Sequence, residues 1–153
     1  MLAGLVNARV SFVVVGGVAA ALHGAERVTN DLDIVYDVRD AGTVSALATL
    51  LAAWRAYPRG IDQGLPFIMD AHTLHSAPML TLGTNEGDLD LLDTVPGVGN
   101  YAAAESHSEF VEAFDITFRI LDLNTLIRSK RATGRTKDRE ALLELEVLRE
   151  VGQ

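Results

Sequence analysis

The apolar run Phe12-Val13-Val14-Val15 stops at Gly16-Gly17, and the next strand-like run, Asp31-Leu32-Asp33-Ile34-Val35-Tyr36, opens with two aspartates. Strands favour β-branched and aromatic residues and are depleted in Asp, so carboxylates at a strand mouth need a physical reason. Residues two apart share a face of a strand, so Asp31 and Asp33 project together while Leu32 and Ile34 pack the other way. Two like charges this close raise one pKa unless a cation neutralises them. A hard divalent cation suits such a pair, since Mg²⁺ is typically held by one or two carboxylates plus substrate phosphates. Taken alone, the pair reads better as solvated strand-end acids.

A second pair of the same form changes the weighing. In Gly87-Asp88-Leu89-Asp90-Leu91-Leu92, Asp88 and Asp90 open another strand. If the two strands are neighbours, Asp90 joins Asp31 and Asp33, enough acid for Mg²⁺ or Mn²⁺. Asp88 faces the same way as Asp90, so periodicity does not choose between them. Asp90 lies between leucines, where solvation is the weaker explanation of its charge.

The glycine pair fits the same picture. Glycines between a strand and a helix let the backbone approach a ligand, and a helix N-terminus attracts phosphate. Gly16-Gly17 alone reads equally as a tight strand-to-helix turn. A dinucleotide-binding fold would need separated glycines and an acid near the end of its second strand, which this chain lacks. An aspartyl phosphotransferase would place its acids just after an apolar strand, yet Glu26-Arg27-Val28-Thr29-Asn30 precedes Asp31.

The remaining pattern is that of an α/β (α+β) chain. Helices are expected over 2–9, over 17–23 ending at Gly24, and over 41–55 behind an Asp40 N-cap. Residues 57–67 read as a loop, 78–84 and 88–95 as a hairpin through Asn85-Glu86-Gly87, and 101–105 as a short helix. Residues 110–121 hold one or two strands. A helical pair closes the chain, capped by Asp122 or Asn124, broken at Gly134 and restarted at Thr136. The 153 residues suit one domain that buries about 70% of its unfolded surface.

Composition excludes several classes. There is no cysteine, hence no disulfide or thiolate metal site, which fits a cytoplasmic location. The apolar run 12–22 is too short to span a membrane. A net charge of −8 disfavours a broad nucleic-acid surface. Against that background Lys130, Arg131, Arg135 and Lys137 stand out. They read either as a counter-charge for a polyphosphate or as cations favoured at a helix C-terminus. His23 reads as a packing residue, and His72, His75 and His107 show no metal spacing.

The order Gly-Gly, D-x-D and later acid resembles the nucleotidyltransferase superfamily of DNA polymerase β-like fold. The stretch Gly16 to Ile34 and the closing "LIRSKRATGRTKDREALLEL" are similar to its minimal bacterial members, the AbiEii/MenT-like group that includes toxins of toxin–antitoxin pairs. The resemblance implies a mixed β-sheet core with flanking helices and a C-terminal helical pair. It implies Asp31, Asp33 and Asp90 as metal ligands, with Asp90 helping to activate an attacking hydroxyl. Gly16 and Gly17 would face the phosphates, with Lys130, Arg135 and Lys137 as nucleotide contacts. The implied reaction is Mg²⁺- or Mn²⁺-dependent transfer of an NMP from an NTP to a hydroxyl of tRNA or protein, with an antitoxin as a partner. Many relatives carry Ser where this chain has Gly17. That departure supports a second reading, a non-catalytic nucleotide- or partner-binding domain that kept the fold.

Overall fold

The structure, a computed structural model, describes residues 1–26, 29–62, 64–134 and 136–152, the side chains of 136–138 excepted. A first helix, α1 (Leu2–Asn7), precedes β1 (Phe12–Val15), whose four residues are all buried. Gly16 begins α2 (Gly16–Leu22), one residue earlier than expected, because Val15 is extended and serves as the N-cap. Strand β2 (Asp31–Tyr36) follows, then α3 (Ala41–Ala53), where the Asp40 side chain accepts a hydrogen bond from the Thr43 amide. Val44, Leu47 and Leu51 of α3 are buried at the spacing that predicted the helix.

The segment expected to be a loop contains an edge strand, β3 (Tyr57–Pro58), paired antiparallel with β4 (Met79–Thr84). Proline is tolerated there because an edge strand can leave one side of its ladder without donors. Between them lies α4 (Ala71–Ser76), which sequence periodicity does not reveal and which starts on an Asp70 side-chain cap to the Thr73 amide at 2.9 Å. Strand β5 (Gly87–Leu92) completes the expected hairpin through Asn85 and Glu86. A small separate hairpin, β6 (Thr94–Val95) with β7 (Gly99–Asn100), occupies the glycine-rich break before α5 (Tyr101–Ser106). Strands β8 (Ser108–Ala113) and β9 (Ile116–Leu121) are the two strands of the 110–121 region. The chain closes with α6 (Leu123–Thr133) and α7 (Thr136–Val151).

The seven-stranded sheet has the order β3-β4-β5-β2-β1-β9-β8, parallel at β5/β2 and β1/β9 and antiparallel elsewhere. Its centre is apolar: Val13, Val14, Ile34, Val35, Leu89 and Ile120 have no measurable exposure. At about 1.5–3 kcal/mol for each fully buried large aliphatic, this central stripe dominates the stabilisation and holds β2 and β5 in place. Asp122 caps α6 by accepting from the Thr125 amide at 2.7 Å, so Asp122 rather than Asn124 is the cap. Gly134 ends α6 in the left-handed conformation, φ 62°. The helical pair is clipped by Arg131 and Glu146 at 2.6 Å, and Leu145 is buried in the core. His23 donates from Nε2 to the Leu121 carbonyl at 2.7 Å, tying α2 to the end of β9. Among the described residues no helix is long and apolar enough to cross a membrane.

The β8–β9 turn is built from Phe114 (φ 56°) and Asp115 (φ 61°), both left-handed as a type I′ hairpin requires. That turn prefers Asn-Gly, and a bulky residue at positive φ is strained by roughly 1–3 kcal/mol. Phe114 is 72% exposed, so packing recovers little of the strain. Replacing Phe114-Asp115 by Asn-Gly should raise the thermal unfolding midpoint by roughly 2–4 °C, the shift of about 1 kcal/mol in a chain of this size. A lowered midpoint in a calorimetric scan would contradict this account of the turn.

Candidate active site

The parallel pairing of β2 with β5 sets Asp31 beside Asp88 and Asp33 beside Asp90. Strand neighbours are about 4.8 Å apart and residues two apart share a face, so the four carboxylates form a square on one face of the sheet. Both acids of β5 are therefore level with the β2 pair, each with its own partner, so the shared facing that left Asp88 and Asp90 undecided brings both to the square. Burial differs across the square: the Asp90 side chain is only 13% exposed whereas that of Asp31 is 41% exposed.

Such a square demands positive charge, and a residue that sequence reasoning missed supplies it. Arg59, just beyond the edge strand, places Nη2 2.6 Å from Asp90 Oδ1 and 3.8 Å from Asp31 Oδ2. Its Nη1 donates to the Leu82 carbonyl at 3.0 Å and its amide donates to the Thr81 carbonyl at 2.9 Å. Burial opposes the guanidinium's charge, but the hydrogen bond to Asp90 and the fields of Asp90, Asp31 and Asp88 outweigh it and raise the Arg59 pKa. The only sequence signal for Arg59 was a lone cation inside a Pro- and Gly-rich segment, and such residues usually lie in solvated loops.

Asp33 is the strained member. Burial first, then the hydrogen bond and like charge of Asp90 and the charge of Asp31, push its pKa up to about 7, with Lys130 pulling it down. Lys130 of α6 thus reaches the carboxylates from across a cleft of about 530 Å³. Gly16, Thr29, Asp31, Asp33, Asp90, Ser129 and Lys130 line that cleft. Arg135 lies outside the described residues. Lys137 is in the first turn of α7 and its side chain is likewise outside the description.

The two glycines have distinct reasons. Gly16 has φ +65°, and a Cβ there would stand 2.1 Å from Asp33 Oδ2. The carboxyl of Asp33 therefore lies directly against the start of α2, in space that only glycine leaves. A Cβ on Gly17 would stand 2.8 Å from the Thr29 hydroxyl oxygen. The space beside Gly17 is thus filled by the Thr29 hydroxyl, which donates to the Asp31 carbonyl at 3.1 Å.

The donor chemistry of Asp31, Asp33 and Asp90 fits a hard divalent cation: all are carboxylate oxygens, clustered on one face, in a field already strong enough to bind a guanidinium. At the spacing shown, however, no three His, Cys, Asp or Glu side chains among the described residues stand close enough together to hold a metal ion. His72 and His75 lie on α4, and the His72 ring meets Ser76 at 3.5 Å.

The chain has the fold of a nucleotidyltransferase. It is similar in structure to a "putative nucleotidyltransferase (TM1012)" from Thermotoga maritima, with a TM-score of 0.59 and 16% identity over 97% of this chain and 91% of that one. No protein-family model matches the chain. No curated protein matches it either.

The Asp33 environment has a consequence for stability. The carboxyl binds its proton more tightly when folded, at about 7 against 3.8 for an ordinary Asp. Its favourable contribution is therefore complete below pH 3.8 and is lost as pH rises to about 7. Asp33→Asn should make the metal-free protein more stable than wild type at pH 8, with a shallower loss of stability between pH 4 and pH 7. Denaturant titrations in EDTA across this range would detect it, and an unchanged slope would show that Asp33 is not the proton-holding group.

Proposed function

We propose that this protein is a nucleotidyltransferase that moves a nucleoside monophosphate from an NTP to a hydroxyl acceptor. The observation that carries the reading is the carboxylate square facing a cleft whose opposite wall presents Lys130, on the fold of that enzyme class. The cleft has the volume of a small-ligand site and offers negative charge on one wall and positive charge on the other.

In this reading Asp31, Asp33 and Asp90 hold Mg²⁺ or Mn²⁺, which when bound would supply charge neutralisation for the triphosphate and the leaving pyrophosphate. The chain's own residues do the rest. Lys130, with Arg135 and Lys137, contacts donor phosphates, and the start of α2 at Gly16-Gly17 faces them with backbone amides. Thr29 provides the hydroxyl that Gly17 lacks. Asp90, whose side chain is only 13% exposed, accepts the proton of the acceptor hydroxyl. The acceptor oxygen then bonds to the α-phosphorus, the bond from that phosphorus to the oxygen bridging to the β-phosphate breaks, and pyrophosphate leaves with the electron pair. Most of the acceleration would come from positioning and charge neutralisation.

The AbiEii/MenT-like pattern of the glycine turn and the basic tail makes a toxin of a toxin–antitoxin pair the specific form of this reading, with an antitoxin as partner and a tRNA or protein hydroxyl as acceptor. The alternative is a nucleotide-binding domain without transfer activity. It draws on the Gly17 departure and on the Arg59 guanidinium already paired with the acid that would take the proton.

Incubation with each α-labelled NTP, Mg²⁺ and cell extract would show label in RNA or protein if the reading holds. Asp90→Asn should lower transfer at least about 1000-fold, as loss of a proton acceptor and metal ligand together would. Asp88→Asn should retain most activity, because Asp88 stands level with Asp31 at the outer end of the square. Lys130→Ala should weaken NTP binding in calorimetry. If Asp88→Asn abolishes transfer while Asp90→Asn preserves it, the assignment of the two acids is wrong.

A further inference from the structure

We propose that Arg59 is the resident counter-cation of the carboxylate square, seated where a divalent cation would bind and released when one arrives. The identity of the incoming cation rests on the nucleotidyltransferase reading; the seating of Arg59 does not. Its Nη2 lies 2.6 Å from Asp90 and 3.8 Å from Asp31, so one planar group spans two carboxylates but closes tightly on only one. A Mg²⁺ ion needs its oxygens at about 2.1 Å, a contraction that a guanidinium lodged between the acids prevents. Arg59 and a metal therefore compete for Asp90 and Asp31, and each ligand of those acids weakens the other.

The surrounding structure permits the exchange. The backbone of Arg59 is anchored separately, through its amide to Thr81, so departure of the side chain costs the Nη1 hydrogen bond to the Leu82 carbonyl but leaves the backbone pairing of the edge in place. A cleft of about 270 Å³ lined by Arg55, Tyr57, Gly60, Thr84 and Asn85 adjoins it and can receive the guanidinium. Arg59 is thus a positioning residue: it holds the acids together without metal and sets the threshold at which metal enters.

The test uses Mn²⁺ as the probe on the full chain, by calorimetry and by electron paramagnetic resonance of the free ion, with thermal unfolding in EDTA and in saturating Mn²⁺. Arg59→Ala should bind Mn²⁺ roughly 10- to 100-fold more tightly than wild type, the fold-change for removing a competing charged hydrogen bond. Its unfolding midpoint in EDTA should fall below that of wild type, and Mn²⁺ should close the gap. Arg59→Lys, which keeps the charge but loses the planar fork, should lie between the two and serves if the alanine variant does not fold without metal. Wild type and both variants binding Mn²⁺ equally well, or the variants more weakly, would overturn the proposal while leaving the metal reading intact. Binding by neither wild type nor variants would overturn both.

Discussion

The in-register parallel pairing of β2 with β5 is the constraint on which the rest depends. It stacks two D-x-D strand mouths side by side and concentrates four carboxylates on one face. Nothing in sheet stability favours this, since like charges across strands repel. The cost is met by the apolar stripe beneath, where Leu32, Ile34, Leu89 and Leu91 alternate with the acids and are buried on the opposite face. A slip of one residue would exchange the two faces, burying the aspartates and exposing the leucines, so the hydrophobic pattern that stabilises the sheet also fixes the register of the acids.

Around that square the chain is organised to balance charge. Arg59 enters from the β3 edge, Lys130 from α6, and the start of α2 approaches through Gly16. Each comes from a different part of the chain, which explains why the site is bounded by the sheet edge on one side and the C-terminal helices on the other. Burial and the neighbouring acids still push the Asp33 pKa up to about 7, so Arg59 and Lys130 do not fully offset the carboxylates. A site with surplus negative charge and a pre-bound guanidinium is poised for exchange of one cation for another.

Much of this was legible in the residues. The strands Phe12–Val15 and Asp31–Tyr36, the Asp40 cap and the Gly134 break follow from periodicity and capping chemistry. The α6 cap stayed open between Asp122 and Asn124, and strand facing brought Asp90 to the Asp31–Asp33 pair only on the condition that the two strands are neighbours. Arg59 and the Tyr57–Pro58 strand did not, because a two-residue edge strand beside Pro and Gly has no periodicity to read, and its partner β4 is supplied only by the tertiary fold. The short helix α4 was hidden for a similar reason: its six residues bury only Leu74. Thr29 was missed because its relation to Gly17 is steric and crosses from a loop to a helix, which no local pattern encodes. The fold thus follows from local rules where elements are long, and the site's cations follow only from how short elements are carried to the sheet edge.

Whether the carboxylate square takes a divalent cation beside an NTP separates the proposed transferase from a domain that only binds. A crystal structure grown with Mn²⁺ and a non-hydrolysable NTP analogue, with data at the manganese absorption edge, tests it most directly. The account predicts anomalous density bounded by Asp31, Asp33 and Asp90, the analogue's phosphates toward Lys130, and Arg59 withdrawn from Asp90. Arg59 still bound to Asp90, with no manganese between the acids and no analogue in the cleft, would contradict it.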